Sequence, residues 1–269
     1  MHCLLLFFSL LPCTVSAKVK GLCAIFLFLF LFLFFLLLQS TDLTPRYTPM
    51  TVTTPAPLWI LGYGSLLFKP PLHDTPLHAH LVRFDGHLAT NGYVRRFWQA
   101  STDHRGTSTA PGRVVTLVPA SLAELDAASD TDQIRCCVYV VPPEHADTAR
   151  AYLDDREQDG YTRQEVLFAA DINHADHSLL QGFPTDKSDR PLVPCTVYVG
   201  TPTNERFVGP ESVQKTASVI ATAVGDSGPN TEYLFNLQQA VPEDQYLSQL
   251  AEVTRITLQQ QQQLQQQQH

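Results

Sequence analysis

Three stretches of the chain group residue types that could do chemistry. Gly62-Tyr63-Gly64-Ser65-Leu66-Leu67 closes an apolar run that opens at Leu58. Glycines on both sides of a tyrosine let the backbone turn sharply. They also let a ligand come close to main-chain N–H groups, which can hold a carboxylate or an oxyanion. The second stretch, Arg95 to Gly106, mixes arginines and aromatics with Ser101, Asp103 and His104 and leads into Pro111–Leu117. Arg95, Arg96 or Arg105 would attract an anionic substrate. The third, Tyr152 to Tyr161, crowds Asp154, Asp155, Glu157 and Asp159 around Arg156, just before Gly160. Like charges and burial both raise a carboxyl pKa, and a carboxylate so tuned suits proton transfer near neutral pH. Each stretch also has a plain reading: a strand connection, a loop whose Arg and Asp pair with each other, and a solvated acidic helix end.

Several familiar sites do not fit these residues. A dinucleotide loop needs a third glycine where Leu67 stands, and Pro70-Pro71 cannot open a helix smoothly. A nucleophile elbow needs glycine where Tyr63 and Leu67 flank Ser65. A relay from Ser101, Asp103 and His104 would need near neighbours in the chain to align their side chains, which is rare. The formal net charge of −8 gives no basic footprint for nucleic acid. Of the six cysteines, Cys3, Cys13 and Cys23 lie near the start, and Cys136, Cys137 and Cys195 form no CxxC pair. That pattern points to a reducing compartment and plain core thiols, not to disulfides or a zinc site.

These stretches need elements to position them. Strands are predicted over Leu58–Tyr63, Gly86–Phe97, Arg113–Val118, Arg135–Val141, Thr162–Ala169 and Cys195–Gly200. Helices are predicted over Glu144–Leu153, over Ser212–Val224 with Gly225 closing it, over Glu232–Ala240 capped by Asn230 or Thr231, and from Pro242-Glu243 to about Leu258. Strands come first and most helices last, which reads as an α+β domain over residues 57–258. Ala120–Asp132 looks like an insertion and Asn173–Pro191 like a polar loop. Residues 259–269 form a glutamine-rich tail that cannot bury a core and is predicted to be disordered.

Residues 1–56 are an apolar leader and a Thr/Pro linker. Gly21–Leu38 is long enough to cross a bilayer at ~1.5 Å per residue, and Leu4–Ala17 resembles a signal peptide. The Leu/Phe alternation also looks like a simple repeat, so a working start at Met50 is a third reading. On that reading the protein is cytoplasmic; a membrane contact requires that residues 21–38 be retained.

Taken in order, the motifs resemble the ChaC family, the glutathione-specific gamma-glutamylcyclotransferases. The resemblance rests on Gly62-Tyr63-Gly64-Ser65-Leu66, Arg95-Arg96-Phe97-Trp98-Gln99, Ser101 to Gly106, Pro111 to Leu117, Arg156-Glu157, Gly160-Tyr161 and Asn230-Thr231-Glu232-Tyr233-Leu234. It implies a gamma-glutamylcyclotransferase-like mixed β-barrel flanked by helices. It implies that glutathione is cleaved to 5-oxoproline and cysteinylglycine without a metal or cofactor. It matches Glu157 to the family's catalytic glutamate and Gly62, Tyr63, Gly64, Ser65, Leu66 and Leu67 to its substrate-binding loop, with Tyr233 lining the site. The chain departs from the family at Phe68, commonly Trp, and at Gln158-Asp159, commonly Lys-Gly. An alternative substrate is another γ-glutamyl amide; an alternative role is a membrane-anchored protein that binds glutathione without turnover.

Overall fold

The computed structural model describes residues 56–123, 134–156, 160–171 and 177–267. The leader with Met50, most of the Ala120–Asp132 insertion, the start of the polar loop, and Glu157 with its next two neighbours lie outside the described residues. Among the described residues no helix is long and apolar enough to cross a membrane.

Five strands close a barrel: β1 (Leu58–Gly62), β2 (Val82–Leu88), β5 (Arg135–Val141), β6 (Thr162–Ala170) and β7 (Leu192–Val199), in the order β1-β5-β2-β6-β7. Every neighbouring pair is antiparallel except β1–β7, which is parallel, so the barrel is mixed, as expected. The hairpin β3 (Tyr93–Ser101) and β4 (Gly112–Pro119) forms a separate two-stranded sheet, with a register irregularity between Arg96 and Gln99. The predicted strand Gly86–Phe97 is in fact parts of two strands. Gly92, with φ 87°, turns the chain between β2 and β3, and the Thr90-Asn91-Gly92 signal explains the break.

The short helix α1 (Ala120–Ala123) follows β4, and α2 (Ala146–Arg156) follows β5 after a single 3-10 turn. Three more helices, α3 (Val213–Ile220), α4 (Asn230–Ala240) and α5 (Gln245–Gln267), end the chain, with the small hairpin β8 (Val224–Gly225) and β9 (Gly228–Pro229) between α3 and α4. The Ser212 hydroxyl caps α3 by accepting from the Lys215 N–H. The helix predicted to run on to Val224 stops at Ile220, because Val224-Gly225 joins the β8–β9 hairpin. α5 runs through the glutamine stretch predicted to be disordered. Its buried residues, Tyr246, Leu247, Leu250, Ala251 and Thr254, all precede that stretch, so the tail adds nothing to the core.

β1 shows why its sequence is an unbroken apolar run. Trp59 and Leu61 enter the main core with Phe84, Val138, Phe168 and Val197. Leu58 and Ile60, on the opposite pleat, share a second cluster with Ala146, Ala149 and Leu153 of α2. A strand buried on both faces reads as continuous hydrophobicity. The strand that ends in the glycine turn is thus the strand on which α2 lies, and α2 ends at Arg156. Helices α3, α4 and α5 complete the main core through Ile220, Leu234, Leu237 and Leu250.

Candidate active site

The turn after β1 becomes a single 3-10 turn, Ser65–Leu67. Its carbonyls are all taken by donors. Tyr63 O accepts from Arg95 Nε at 3.0 Å, and Gly64 O from the Leu67 N–H at 3.0 Å. Ser65 O accepts from the N–H groups of Phe68 and Lys69. Leu66 O accepts from the Tyr139 hydroxyl at 3.0 Å, and Leu67 O from Arg83 Nη1 at 3.0 Å. In a trans peptide the next N–H points the opposite way from the carbonyl. The amides of Gly64, Ser65 and Leu66 are therefore aimed away from the donors that hold the preceding carbonyls. Burial pushes the Tyr139 phenol up to about 12, so it stays a donor to the turn.

A cavity of about 290 Å³ opens beside this turn. Ser65, Phe68 and Lys69 supply one wall. Gly62, Tyr63, Gly64 and Leu67 are buried behind it, and Leu66 is half-buried. The β3–β4 connection supplies Ser101, Asp103, His104 and Arg105; Tyr233 of α4 and Ser227 of the small hairpin complete that side. Tyr152, near the end of α2, and Tyr161, just before β6, line the cavity as well. These two tyrosines bracket Glu157 in sequence, five residues before it and four after.

Close packing shapes the wall. A Cβ on Gly64 would lie 2.7 Å from Val115 Cγ1 and 3.1 Å from the Tyr233 hydroxyl, so only glycine lets the turn approach this closely. The Tyr233 ring meets Phe68 and Phe97 edge-on, with centroids 5.9 and 5.7 Å away, and Arg105 Cζ lies 5.8 Å from its centroid. The connection carrying Arg105 is clamped by main-chain bonds: Asp226 N–H donates to Asp103 O and Ser227 N–H to His104 O.

Asn230, predicted as a helix cap, does something else. It is fully buried, and its Oδ1 accepts from the Arg113 N–H at 2.6 Å while its Nδ2 donates to Arg113 O at 2.8 Å. The side chain amide acts as a missing strand partner at the start of β4 and fixes α4, and hence Tyr233, against it. Asn230→Ala orphans a buried donor and a buried acceptor, at roughly 1–3 kcal/mol each. The variant is expected to unfold at a clearly lower urea midpoint with unchanged slope.

The arginines sort differently from the expectation. Arg95 and Arg96 are buried and structural. Arg95 bonds Tyr63 O, Asp244 and Arg135 O, and Arg96 stacks on the Tyr246 ring, 4.5 Å from its centroid. Only Arg105 of the three lines the cavity. Ser101, Asp103 and His104 are not ordered as a relay: Ser101 Oγ bonds Asp103 and accepts from the Arg105 N–H, while His104 lies 3.7 Å from Asp103 through Nε2 and meets Ser227 Oγ at 3.2 Å through Nδ1. Of the acidic cluster, Asp154 accepts from the Tyr198 hydroxyl at 2.6 Å and lies 3.7 Å from Arg163, so it is partnered. The thiols of Cys136 and Cys137 are buried and pushed up, Cys137 to about 12, which leaves them protonated and unreactive.

Some wall residues carried no signal in the sequence reading. His73 and Asp74, bonded at 2.9 Å, and Lys69 follow the turn directly. Ser227 sits in Gly225-Asp226-Ser227-Gly228, a turn signature that could have flagged it.

Three comparisons bear on this geometry. A family model described as ChaC-like protein matches residues 58–261. The glutathione-specific gamma-glutamylcyclotransferase of Saccharomyces cerevisiae is 40% identical over 218 residues, covering 73% of this chain and 90% of that protein. The human glutathione-specific gamma-glutamylcyclotransferase 1 is 36% identical over 188 residues, 68% of this chain and 69% of that protein. A crystal structure of the yeast gamma-glutamyl cyclotransferase specific to glutathione superposes with a TM-score of 0.67 at 39% identity, covering 75% of this chain and 97% of that one.

Proposed function

The chain belongs to the ChaC-like family, and from that premise we propose that it cleaves glutathione by cyclising the γ-glutamyl group to 5-oxoproline and releasing cysteinylglycine. The observation that carries this reading is one cavity that joins the glycine turn, through Ser65, to both tyrosines that bracket Glu157.

The reaction needs little from the protein beyond bending and proton transfer. The α-amine of the γ-glutamyl group attacks its own side-chain amide carbonyl. A C–N bond forms to the ring nitrogen as the amide C–N bond to cysteine breaks. The amine arrives as an ammonium with no lone pair, so a base must take its proton first. Glu157 takes it and then returns a proton to the departing cysteinyl amine. The carbonyl oxygen gains negative charge on the way, and fixed N–H donors stabilise it. The Gly64–Leu66 amides are suited to that role or to gripping the α-carboxylate. Holding amine and carbonyl together lowers the entropic part of the barrier. The nucleophile belongs to the substrate, which fits a Ser65 that lacks the surroundings of an activated serine.

The test is incubation of the purified protein with reduced glutathione, assayed for 5-oxoproline and cysteinylglycine in equal amounts. Neither product appearing would refute the reading. Gly64→Ala sharpens it. The added methyl meets the buried Val115 and displaces the turn or Tyr233. We expect kcat/KM to fall about 10–100-fold, about 1.4–2.7 kcal/mol in the barrier, with the fold retained by circular dichroism. We place the work in the cytosol, on the support of three buried free thiols, Cys136, Cys137 and Cys195.

A further inference from the structure

We propose that Arg105 is the specificity residue that binds the glycyl carboxylate of glutathione, an inference that rests on the cyclotransferase reading above. The guanidinium lines the cavity, and its side chain is only 12% exposed. It is fixed from three sides. Nη1 donates to Pro229 O at 3.0 Å and lies 3.5 Å from a Glu232 carboxylate oxygen, and the Tyr233 ring lies beneath Cζ. The main chain is fixed too, since the Arg105 N–H donates to Ser101 Oγ at 3.0 Å.

What remains open is chemically specific. The Nε and Nη2 donors have no partner among the described residues, and they form the edge that pairs side by side with the two oxygens of a carboxylate. Glu232 does not cancel the charge: it is half exposed, and its contact is on the opposite edge, at Nη1. A cation already held in place loses little freedom when a ligand arrives, so its pairing adds to affinity rather than being offset by ordering.

Tyr233 says which carboxylate. Its hydroxyl abuts Gly64 in the turn, while its ring meets Arg105. Tyr233 therefore links the two: its hydroxyl packs on the turn, and Arg105 Cζ stands 5.8 Å from its ring centroid. A tripeptide extended at ~3.5 Å per residue spans about 10 Å. With the γ-glutamyl end at the turn, the far carboxylate falls toward Arg105. The other basic side chains on the wall are less suited. His73 is bonded to Asp74, His104 is 60% exposed and meets Ser227, and Lys69 is an exposed, flexible point charge.

The test compares glutathione with its glycinamide analogue, in which only the terminal carboxylate is neutralised. The wild type is expected to prefer glutathione by about 10–100-fold in kcat/KM, a range typical of one charged hydrogen-bonded pair. Arg105→Gln should lose at least tenfold more on glutathione than on the glycinamide, chiefly through KM. Arg105→Lys, which keeps the charge without the fork, should recover part of the loss. Equal losses on both compounds would make Arg105 merely structural and overturn the proposal. So would a wild type indifferent to the amide, or a preference abolished by Lys69→Gln and not by Arg105→Gln. If the wild type turned over neither compound, the cyclotransferase reading would fail separately. Calorimetric binding of the two compounds to wild type and Arg105→Gln would then still decide the carboxylate contact.

Discussion

Glu157→Gln is expected to lower kcat for glutathione by about 10³-fold or more, at the upper end of what one proton-transfer group contributes, because a single carboxylate serves twice in the proposed cycle. Glutamine keeps the shape and much of the hydrogen bonding but can neither take the ammonium proton nor supply one to the leaving amine. The thermal midpoint should stay near that of the wild type, and glutathione should still bind. Release of 5-oxoproline under single-turnover conditions is the measurement. A variant within threefold of wild type would remove Glu157 from the reaction. Tyr152 and Tyr161, which bracket Glu157 in the sequence, both line the cavity, and that is the support for the proposed role.

The second large effect concerns stability. The Glu211 carboxylate is 2% exposed and accepts from Arg113 Nε at 2.8 Å and Nη2 at 2.9 Å, with Lys215 Nζ at 3.1 Å. Burial disfavours its charge, but the bonds from Arg113 and Lys215 outweigh that and hold the carboxyl below its ordinary 4.5. Glu211→Ala leaves the buried guanidinium of Arg113 without its partner, at a cost of about 3–5 kcal/mol. That is a large part of the total for a domain. Denaturant unfolding should show it directly, with the midpoint falling and the slope unchanged. The pH sign follows from the lowered folded value. The contribution is complete above pH 4.5 and fades as pH falls through the folded value. Arg113 is the residue whose main chain Asn230 holds, so the Glu211 and Asn230 effects are expected to be non-additive.

The strands were legible where burial wrote a long signal. β5 matches its predicted bounds, Arg135–Val141, because consecutive β-branched and aromatic residues pack on both pleats. The barrel's closure was not legible from residue patterns, since the parallel contact of Ile60 with Thr196 joins residues far apart in the chain. The ordered motifs carried the fold instead. Around the cavity, local chemistry singled out the glycine turn and the arginine stretch, but could not separate Arg105, which lines the cavity, from Arg95 and Arg96. All three are the same residue type in one stretch; burial against Asp244 and Tyr246 decided which were structural. Asn230 misled for a related reason: a side chain suited to capping a helix is equally suited to pairing with a strand, and only the neighbouring Arg113 backbone settles the choice.

The anchoring of the glycine turn has a further consequence. The carbonyls of Tyr63, Leu66 and Leu67 are held by side chains from three different strands: Arg95 of β3, Tyr139 of β5 and Arg83 of β2. Loosening the turn therefore also breaks bonds to β2 and β5 of the barrel and to β3 of the separate hairpin. The amides proposed to meet the substrate are thus held by the same packing that holds the core, and the proposed role would draw on donors positioned by folding itself.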